Sequence, residues 1–383
     1  MKKNTSLKIV TIVGTRPEII RLSSIIRLLD KHLKHILVNT GQNYDYELNE
    51  VFFDDLGLRK PDLFLGIDTS SLGAAVGDII RKTEAVLKLE VPDGLLILGD
   101  TNSCLSAYIA KRMHIPVFHM EAGNRCFDFN VPEEINRRII DHIADFNLVY
   151  TEHARRHLIQ EGLPQRRIYL TGSPLYEVLQ DNMSKIKSSK ILSELKLKPK
   201  KYFLVSAHRE ENVDNRNNLE QIILVLNRLA EAYKLPVIVS THPRTRKRLE
   251  ENKGRKANEL IQFLKPFGFT DYVHLQINAS CTLSDSGTIC EESAILSFPA
   301  VSIRQSMERP EAQDAGTIIL TGFDPDIVMN SVKTTIEEHK NHRYTQIPEE
   351  YKISNTSWRV LKLILGNTKL SNKWWGINSV STK

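Results

Sequence analysis

Cysteine is scarce: the chain has four in 383 residues (Cys104, Cys126, Cys281 and Cys290), and no two are spaced for metal or redox work. So few thiols argue against a disulfide framework and lead to the expectation of a reducing, cytoplasmic setting. No apolar run approaches the roughly 20 residues of a membrane-spanning helix. The opening MKKNTSLKIVTIVG begins with lysines like a leader peptide, yet its apolar run is short and leads into GTRPE, so it reads as a first strand. No GxGxxG follows that strand, which disfavours a nicotinamide nucleotide. Aromatics are 7% of the residues, and the 52 Lys and Arg exceed the 46 Asp and Glu by only six. With no stripe of cations interleaved with aromatics, nucleic acid is not an expected partner. The basic runs at Arg244 to Arg248 and Lys253 to Leu260 read as solvated helix faces.

What is present is alternation. At this length two domains are expected rather than one core. Short apolar runs at KIVTIVG, HILVNTG, GLLILGD, PVFHME, FNLVYT and IYLTG alternate with amphipathic segments such as Pro17 to Leu29 and Ser103 to Met113. A second series runs through YFLVSAH, PVIVSTH, the stretch around YVHLQ, CTLSDSG, PAVSIR and TIIL. Between them lies a Lys- and Ser-rich segment, Asn182 to Lys201, expected as a surface helix and loop near the junction. Strands separated by helices build parallel sheets. The expected fold is therefore α/β: two Rossmann-like, doubly wound domains facing a cleft, the first over 1–173 and the second over 174–355. In such sheets ligands bind outside the carboxyl ends of the strands, so functional residues should sit just after each apolar run.

Unusual polar residues do sit there. GTRPE places Arg16 beside a helix start that Pro17 suits, a natural anion site, with Arg21 one turn on. LGDTNS ends a wholly apolar strand on Asp100, which either caps the next helix or is set aside for chemistry. HMEAGNRCFDFNVPEEINRR ends a buried strand on Glu121 and opens a helix at Pro132. Helix-dipole preference accounts for acids such as Glu133 and Glu134 in a first turn, but not for a carboxylate at a buried strand end. Arg125, Arg137 and Arg138 are the candidate partners for Glu121. In the second half, SAHREEN offers His208 and Arg209, and STHPRT offers His242 and Arg244. DSGTICEES offers a turn, Ser286 and Gly287, whose N–H groups suit a diphosphate, with Glu291 and Glu292 one turn further for ribose hydroxyls. IRQSMERPEA adds Arg304, Glu308 and Arg309, cations suited to phosphate. Six polar turns after strands point to a nucleotide-sugar site.

In order and spacing, GTRPE, GDTNS, HMEAGNR, PEEINR, HREEN, DSGTICEE and ERPEA resemble the non-hydrolysing UDP-N-acetylglucosamine 2-epimerase family over nearly the whole chain. The resemblance implies a glycosyltransferase-B-like pair of domains closing over UDP, a final helix from about Thr356 that returns to the first domain, and a homodimer. It implies inversion at the carbon bearing the N-acetyl group: UDP is eliminated to a glycal and re-adds as a proton returns on the other face. It calls for no metal and no other cofactor. By resemblance Asp100, Glu121 and Glu133 match the acid/base carboxylates and His208 the active-site histidine. Arg16, Ser286, Gly287 and Glu291 match positions that hold UDP, with Arg209, His242 and Arg309 beside them. Which carboxylate takes the C2 proton stays open.

The family's usual lysine in the first helix is Arg21 here, which keeps the charge but changes its geometry. The words IIRLS, GDTNSCL, HMEAGNRCFD, SAHREEN and SIRQSMERPEA resemble the branch that epimerises C2 of UDP-linked 2-acetamido-2,6-dideoxy-L-hexoses, sugars of capsule and O-antigen. The alternatives are the general enzyme, which interconverts UDP-N-acetylglucosamine and UDP-N-acetylmannosamine, a glycosyltransferase of the same architecture, and a UDP-sugar-binding regulator without catalysis. Trp374 and Trp375, near the C-terminus, are expected to dock on the body.

Overall fold

The computed structural model describes residues 6–41, 53, 55–207, 216–241, 257–341 and 347–377. The chain divides into two compact units, Met1–Asp181 with Ile353–Lys383, and Asn182–Lys352. Each is the expected Rossmann-like unit, one parallel sheet covered by helices. Among the described residues no helix is long and apolar enough to cross a membrane.

In the first unit the strands are β1 Lys8–Val13, β2 Lys34–Asn39, β3 Leu63–Phe64, β4 Gly94–Leu98, β5 Val117–Ala122, β6 Phe146–Val149 and β7 Ile168–Leu170. They lie in the order β3-β2-β1-β4-β5-β6-β7, every pair parallel. β1, β4, β5 and β6 are buried almost throughout, as continuous apolar strands covered on both faces must be. The connecting helices are α1 Arg16–His32, α2 Leu72–Glu90, α3 Ser106–Arg112, α4 Pro132–Ile143, α5 Glu152–Gln160 and α6 Leu175–Ser188. Pro17 and Pro132 sit in the first turns of α1 and α4, where a missing N–H costs nothing. Thr151 caps α5 by accepting from the Ala154 N–H.

In the second unit β8 Phe203–Ser206, β9 Val237–Ser240, β10 Ile261–Leu264, β11 Cys281–Ser284, β12 Ala300–Ser302 and β13 Ile319–Leu320 form a parallel sheet in the order β10-β9-β8-β11-β12-β13. Its helices are α7 Ile191–Glu194, α8 Arg216–Tyr233, α9 Phe269–Asn278, α10 Ile289–Leu296, α11 Glu311–Asp314 and α12 Pro325–Lys340. The last helix, α13 Thr356–Trp374, belongs to the first unit. The helix α6 straddles the division at Asp181 and Asn182.

One expected strand is a helix. The residues YVHLQ lie inside α9, whose buried positions Phe269, Val273 and Gln276 recur at helical spacing. Tyr, Val and His carry strand propensity, but a ten-residue run after Gly268 with one apolar face packs as a helix. The third strand of this sheet is instead β10, an edge strand IQFL with only Ile261 buried. Too short and mixed to stand out, it escaped the sequence pattern, as did the two-residue β3.

In each sheet the strand order reverses direction beside its first strand, at β1/β4 and at β8/β11. Those switch points are where a doubly wound sheet opens a crevice at its carboxyl end.

Candidate active site

At the first switch point the turns after β1 and β4 are tied together by Glu18, a residue the sequence reading passed over. Its carboxylate is 2% exposed. It accepts hydrogen bonds from the Gly14 N–H (2.6 Å), Thr15 Oγ1 (3.0 Å), Thr101 Oγ1 (2.6 Å) and Ser103 Oγ (3.0 Å). Burial pushes the carboxyl above its usual range, and these donors offset only part of that. The result ties the turn that leads into Arg16, the first residue of α1, to the turn after β4 that carries Asp100. A signal was available: Thr15 at the N-cap and Glu18 three residues on have the spacing of a capping box.

Asp100 does not act as the helix cap considered from sequence. Its Oδ2 accepts from Arg137 Nη2 at 2.7 Å and Nε at 3.0 Å, while Asn136 Nδ2 donates to its main-chain oxygen at 2.9 Å. On the neighbouring strand, Glu121 sits in a bulge: β5 shifts register between Met120 and Ala122, and Glu121 takes φ +66°. A non-glycine residue in that left-handed region is strained, and such strain concentrates at functional sites. The bulge leaves the Glu121 side chain in a buried ion pair with Arg21 of α1. Among the described residues the ion pair of Glu121 is with Arg21, not with the Arg125, Arg137 or Arg138 expected from the nearby sequence. Those arginines serve other acids. A Cβ added to Gly99, the residue before Asp100, would lie 3.7 Å from Glu121 Oε2. The two carboxylate-bearing chain ends thus stand side by side.

Beneath them lies a buried charged layer that sequence did not reveal. His119 is wholly buried, its Nε2 2.9 Å from the Gly99 carbonyl and its Nδ1 3.0 Å from Asp141 Oδ1. Asp141 also takes Arg125 Nη1 (2.7 Å) and the Gly123 N–H (3.1 Å), and Arg125 reaches on to Glu161. Burial raises the Asp141 carboxyl, but His119 and Arg125 outweigh it and hold it below the usual range. Gly123 admits no side chain: with φ +82°, a Cβ would meet the Ala154 carbonyl oxygen at 2.4 Å.

Glu134, read from sequence as a helix-start acid, is fully buried. It accepts from the Cys126 N–H (3.1 Å), Arg137 Nη1 (3.1 Å) and Arg138 Nε (2.9 Å). Burial pushes its carboxyl up, and these donors pull it net below its ordinary value. Glu133, in the first turn of α4, is half-buried. The dipole argument put both acids in one class; packing separates them, because only Glu134 faces the sheet.

In the second unit, Ser286 and Gly287 form the turn between β11 and α10 at the second switch point. Ser284 Oγ accepts from the Ser286 N–H at 3.0 Å, and the Ser286 and Thr288 hydroxyls are 2.9 Å apart. A Cβ at Gly287 would come within 2.5 Å of Glu308 Oε1, so a side chain there would displace the end of Glu308. Glu308 pairs with Arg304 at 2.7 Å. Glu291, expected on a ribose, is 1% exposed, its Oε1 taking Arg309 Nη1 at 2.8 Å. Its neighbour Glu292 is half-buried and accepts from Gln276 Nε2 at 2.6 Å. His208, Arg209, His242 and Arg244 lie outside the described residues.

Comparison with known proteins agrees with this fold. Residues 27–365 match the family described as UDP-N-acetylglucosamine 2-epimerase. The crystal structure of a UDP-N-acetylglucosamine 2-epimerase from Rickettsia bellii superimposes with a TM-score of 0.91 at 52% identity, covering 97% of this chain and 100% of that one. A UDP-N-acetylglucosamine 2-epimerase of Methanococcus maripaludis is 36% identical over 94% of this chain and 99% of its own length. The Methanocaldococcus jannaschii enzyme, solved in complex with UDP-GlcNAc and UDP, gives a TM-score of 0.87 at 33% identity, covering 94% of this chain and 99% of that one. The chain belongs to the UDP-N-acetylglucosamine 2-epimerase family, and so is an isomerase of UDP-sugars.

Proposed function

We propose that the protein inverts C2 of a UDP-linked 2-acetamido-2,6-dideoxy-L-hexose by eliminating UDP to a glycal and re-adding it, toward capsule or O-antigen sugars. The observation that carries the reaction type is the placement of Asp100 and Glu121 on the ends of adjacent strands, each carboxylate met by an arginine. Elimination across C1 and C2 needs a base at C2, an acid for the returning proton and stabilisation of the departing diphosphate. Asp100, Glu121 and Glu133 supply the proton chemistry with His208, and Arg21 pairs with Glu121. Arg16 and the N–H groups of Ser286 and Gly287 hold the diphosphate, helped by Arg209, His242 and Arg309, while Glu291 takes the ribose. What supports the 6-deoxy-L-hexose is sequence: Arg21 in place of the family's lysine, and the motif words of that branch. The names of the relatives favour a second reading, the interconversion of UDP-N-acetylglucosamine and UDP-N-acetylmannosamine.

Product NMR in deuterated water separates the two readings. Incubated with the L-talo and L-rhamno 6-deoxy UDP-sugars and with UDP-N-acetylglucosamine, the enzyme should place deuterium at C2 of the inverted L-hexose and release traces of UDP. Asp100→Asn and Glu121→Gln should each lower kcat by about 10²–10⁴-fold while UDP still binds. Turnover of UDP-N-acetylglucosamine alone would replace the L-hexose reading with the second one. Normal turnover in both variants would remove the two residues from the mechanism. A homodimer belongs to the same proposal, and light scattering reads it directly.

A further inference from the structure

We propose that Arg137 and Asn136 are positioning residues for Asp100, holding its carboxylate aimed and ionised; the inference rests on the reading that Asp100 handles a proton at C2. Asp100 stands in an irregular turn. β4 ends at Leu98, Gly99 takes φ +78°, and the next regular element is the 3₁₀ turn Asn102–Leu105. A short acidic side chain in such a turn has several staggered rotamers and little backbone ladder to limit them. Two consecutive residues of α4 remove that freedom. Asn136 grips the main chain, donating to the Asp100 carbonyl at 2.9 Å and to Asn102 Oδ1 at 3.3 Å. Arg137 grips the side chain, with Nε and Nη2 both on Asp100 Oδ2.

The grip is itself braced. The remaining guanidinium nitrogen, Nη1, donates to Glu134 Oε2 at 3.1 Å, and Glu134 is fixed by the Cys126 N–H and Arg138. Arg137 is 3% exposed, so it has no room to swing away. From below, His119 Nε2 lies against the Gly99 carbonyl, pinning the residue before Asp100. The carboxylate is thus located by α4 from one side and β5 from the other. A guanidinium on Oδ2 stabilises charge there, and only the planar fork of arginine spans Asp100 and Glu134 together.

The test uses the full-length enzyme and the UDP-sugar it turns over, reading kcat, KM and the pH profile of kcat. Arg137→Lys keeps a cation but cannot span both acids; kcat should fall at least about tenfold with KM within about threefold, as expected for a lost transition-state contact. Removing the cation leaves Glu134 buried without one partner, so Arg137→Met is combined with Glu134→Gln. In that folded double variant the acidic limb of the profile should move up by about 1–3 pH units, the range by which a nearby opposite charge lowers a carboxyl. Asn136→Ala should lower kcat less and leave the limb in place. Unchanged kcat and an unchanged acidic limb in Arg137→Lys and the double variant would overturn the inference while wild-type C2 exchange kept the proposed reaction standing. Absence of C2 deuterium exchange in the wild type would overturn the reaction, and this inference with it.

Discussion

Asp141 carries a disproportionate share of the first unit's electrostatics. It is wholly buried, yet it is the common partner of His119, Arg125 and the Gly123 N–H, so the strand end that bears Glu121 rests on it. Its carboxyl is held below the usual range, burial opposing and the His119 and Arg125 contacts prevailing. A depressed folded-state value means the stabilisation is present above the unfolded carboxyl value of about 3.9 and is lost as pH falls through the folded value. Asp141→Asn leaves the buried Arg125 with Glu161 as its remaining acid, and should cost about 3–5 kcal/mol near pH 7. The gap between the urea midpoints of the two proteins should therefore hold from pH 7 to about pH 4 and narrow only below the unfolded carboxyl value of about 3.9, as the wild type loses the ion pairs. A gap that already closes between pH 7 and pH 5 would show that Asp141 is not held below the usual carboxyl range.

At the scale of elements, the C-terminal helix is held by its last turn as much as by its apolar face. Asp145, at the α4–β6 junction, is 2% exposed. Its Oδ1 accepts from Trp375 Nε1 (2.5 Å), Ser371 Oγ (3.0 Å) and Lys111 Nζ (2.7 Å), and its Oδ2 from the Val117 N–H that starts β5 (2.9 Å). The Arg167 guanidinium stacks 3.7 Å over the Trp375 ring. Trp375→Ala should lower the stability of the first unit by about 2 kcal/mol, from lost packing and cation–π contact. Trp375→Phe keeps a ring but not the N–H and should lose about 1 kcal/mol; equal urea midpoints for Phe and Ala variants would mean that the hydrogen bond, not the ring, holds the helix. The docked tryptophans were legible in the sequence, as were eleven of the thirteen strands among the described residues, because buried parallel strands are long apolar runs and their polar ends stand out. What stayed hidden has a physical reason. His119 and Asp141 are polar residues whose partners lie on other elements, and a single sequence gives no spacing for a contact across a sheet. The strand β10 was hidden because an edge strand needs only one buried side chain.

The whole molecule is built asymmetrically along the chain, and that has a consequence for folding. The second unit is one continuous segment, Asn182–Lys352. Among the described residues, the apolar clusters of this unit draw only on that span, from Ile191 to Tyr351. The first unit needs two segments. Thr356 Oγ1 donates to the Thr171 carbonyl at 3.0 Å, and Ser357 donates to Glu177 through its N–H (2.8 Å) and hydroxyl (3.0 Å). The buried side chains of α13, Val360, Leu361 and Ile364, must be supplied from beyond residue 352. A fragment of residues 182–352, although it begins inside α6, should therefore melt cooperatively by circular dichroism. Residues 1–181 alone should expose the α13 docking surface and aggregate, and joining 353–383 to their amino end through a flexible linker should restore folding. The linker adds only slowly growing loop entropy, about 0.6 kcal/mol per doubling of its length, against an apolar face worth roughly 25 cal/mol for each Å² it covers. A soluble, cooperatively melting 1–181 would show instead that α13 is dispensable to the first unit, and that its sheet is closed by its own helices.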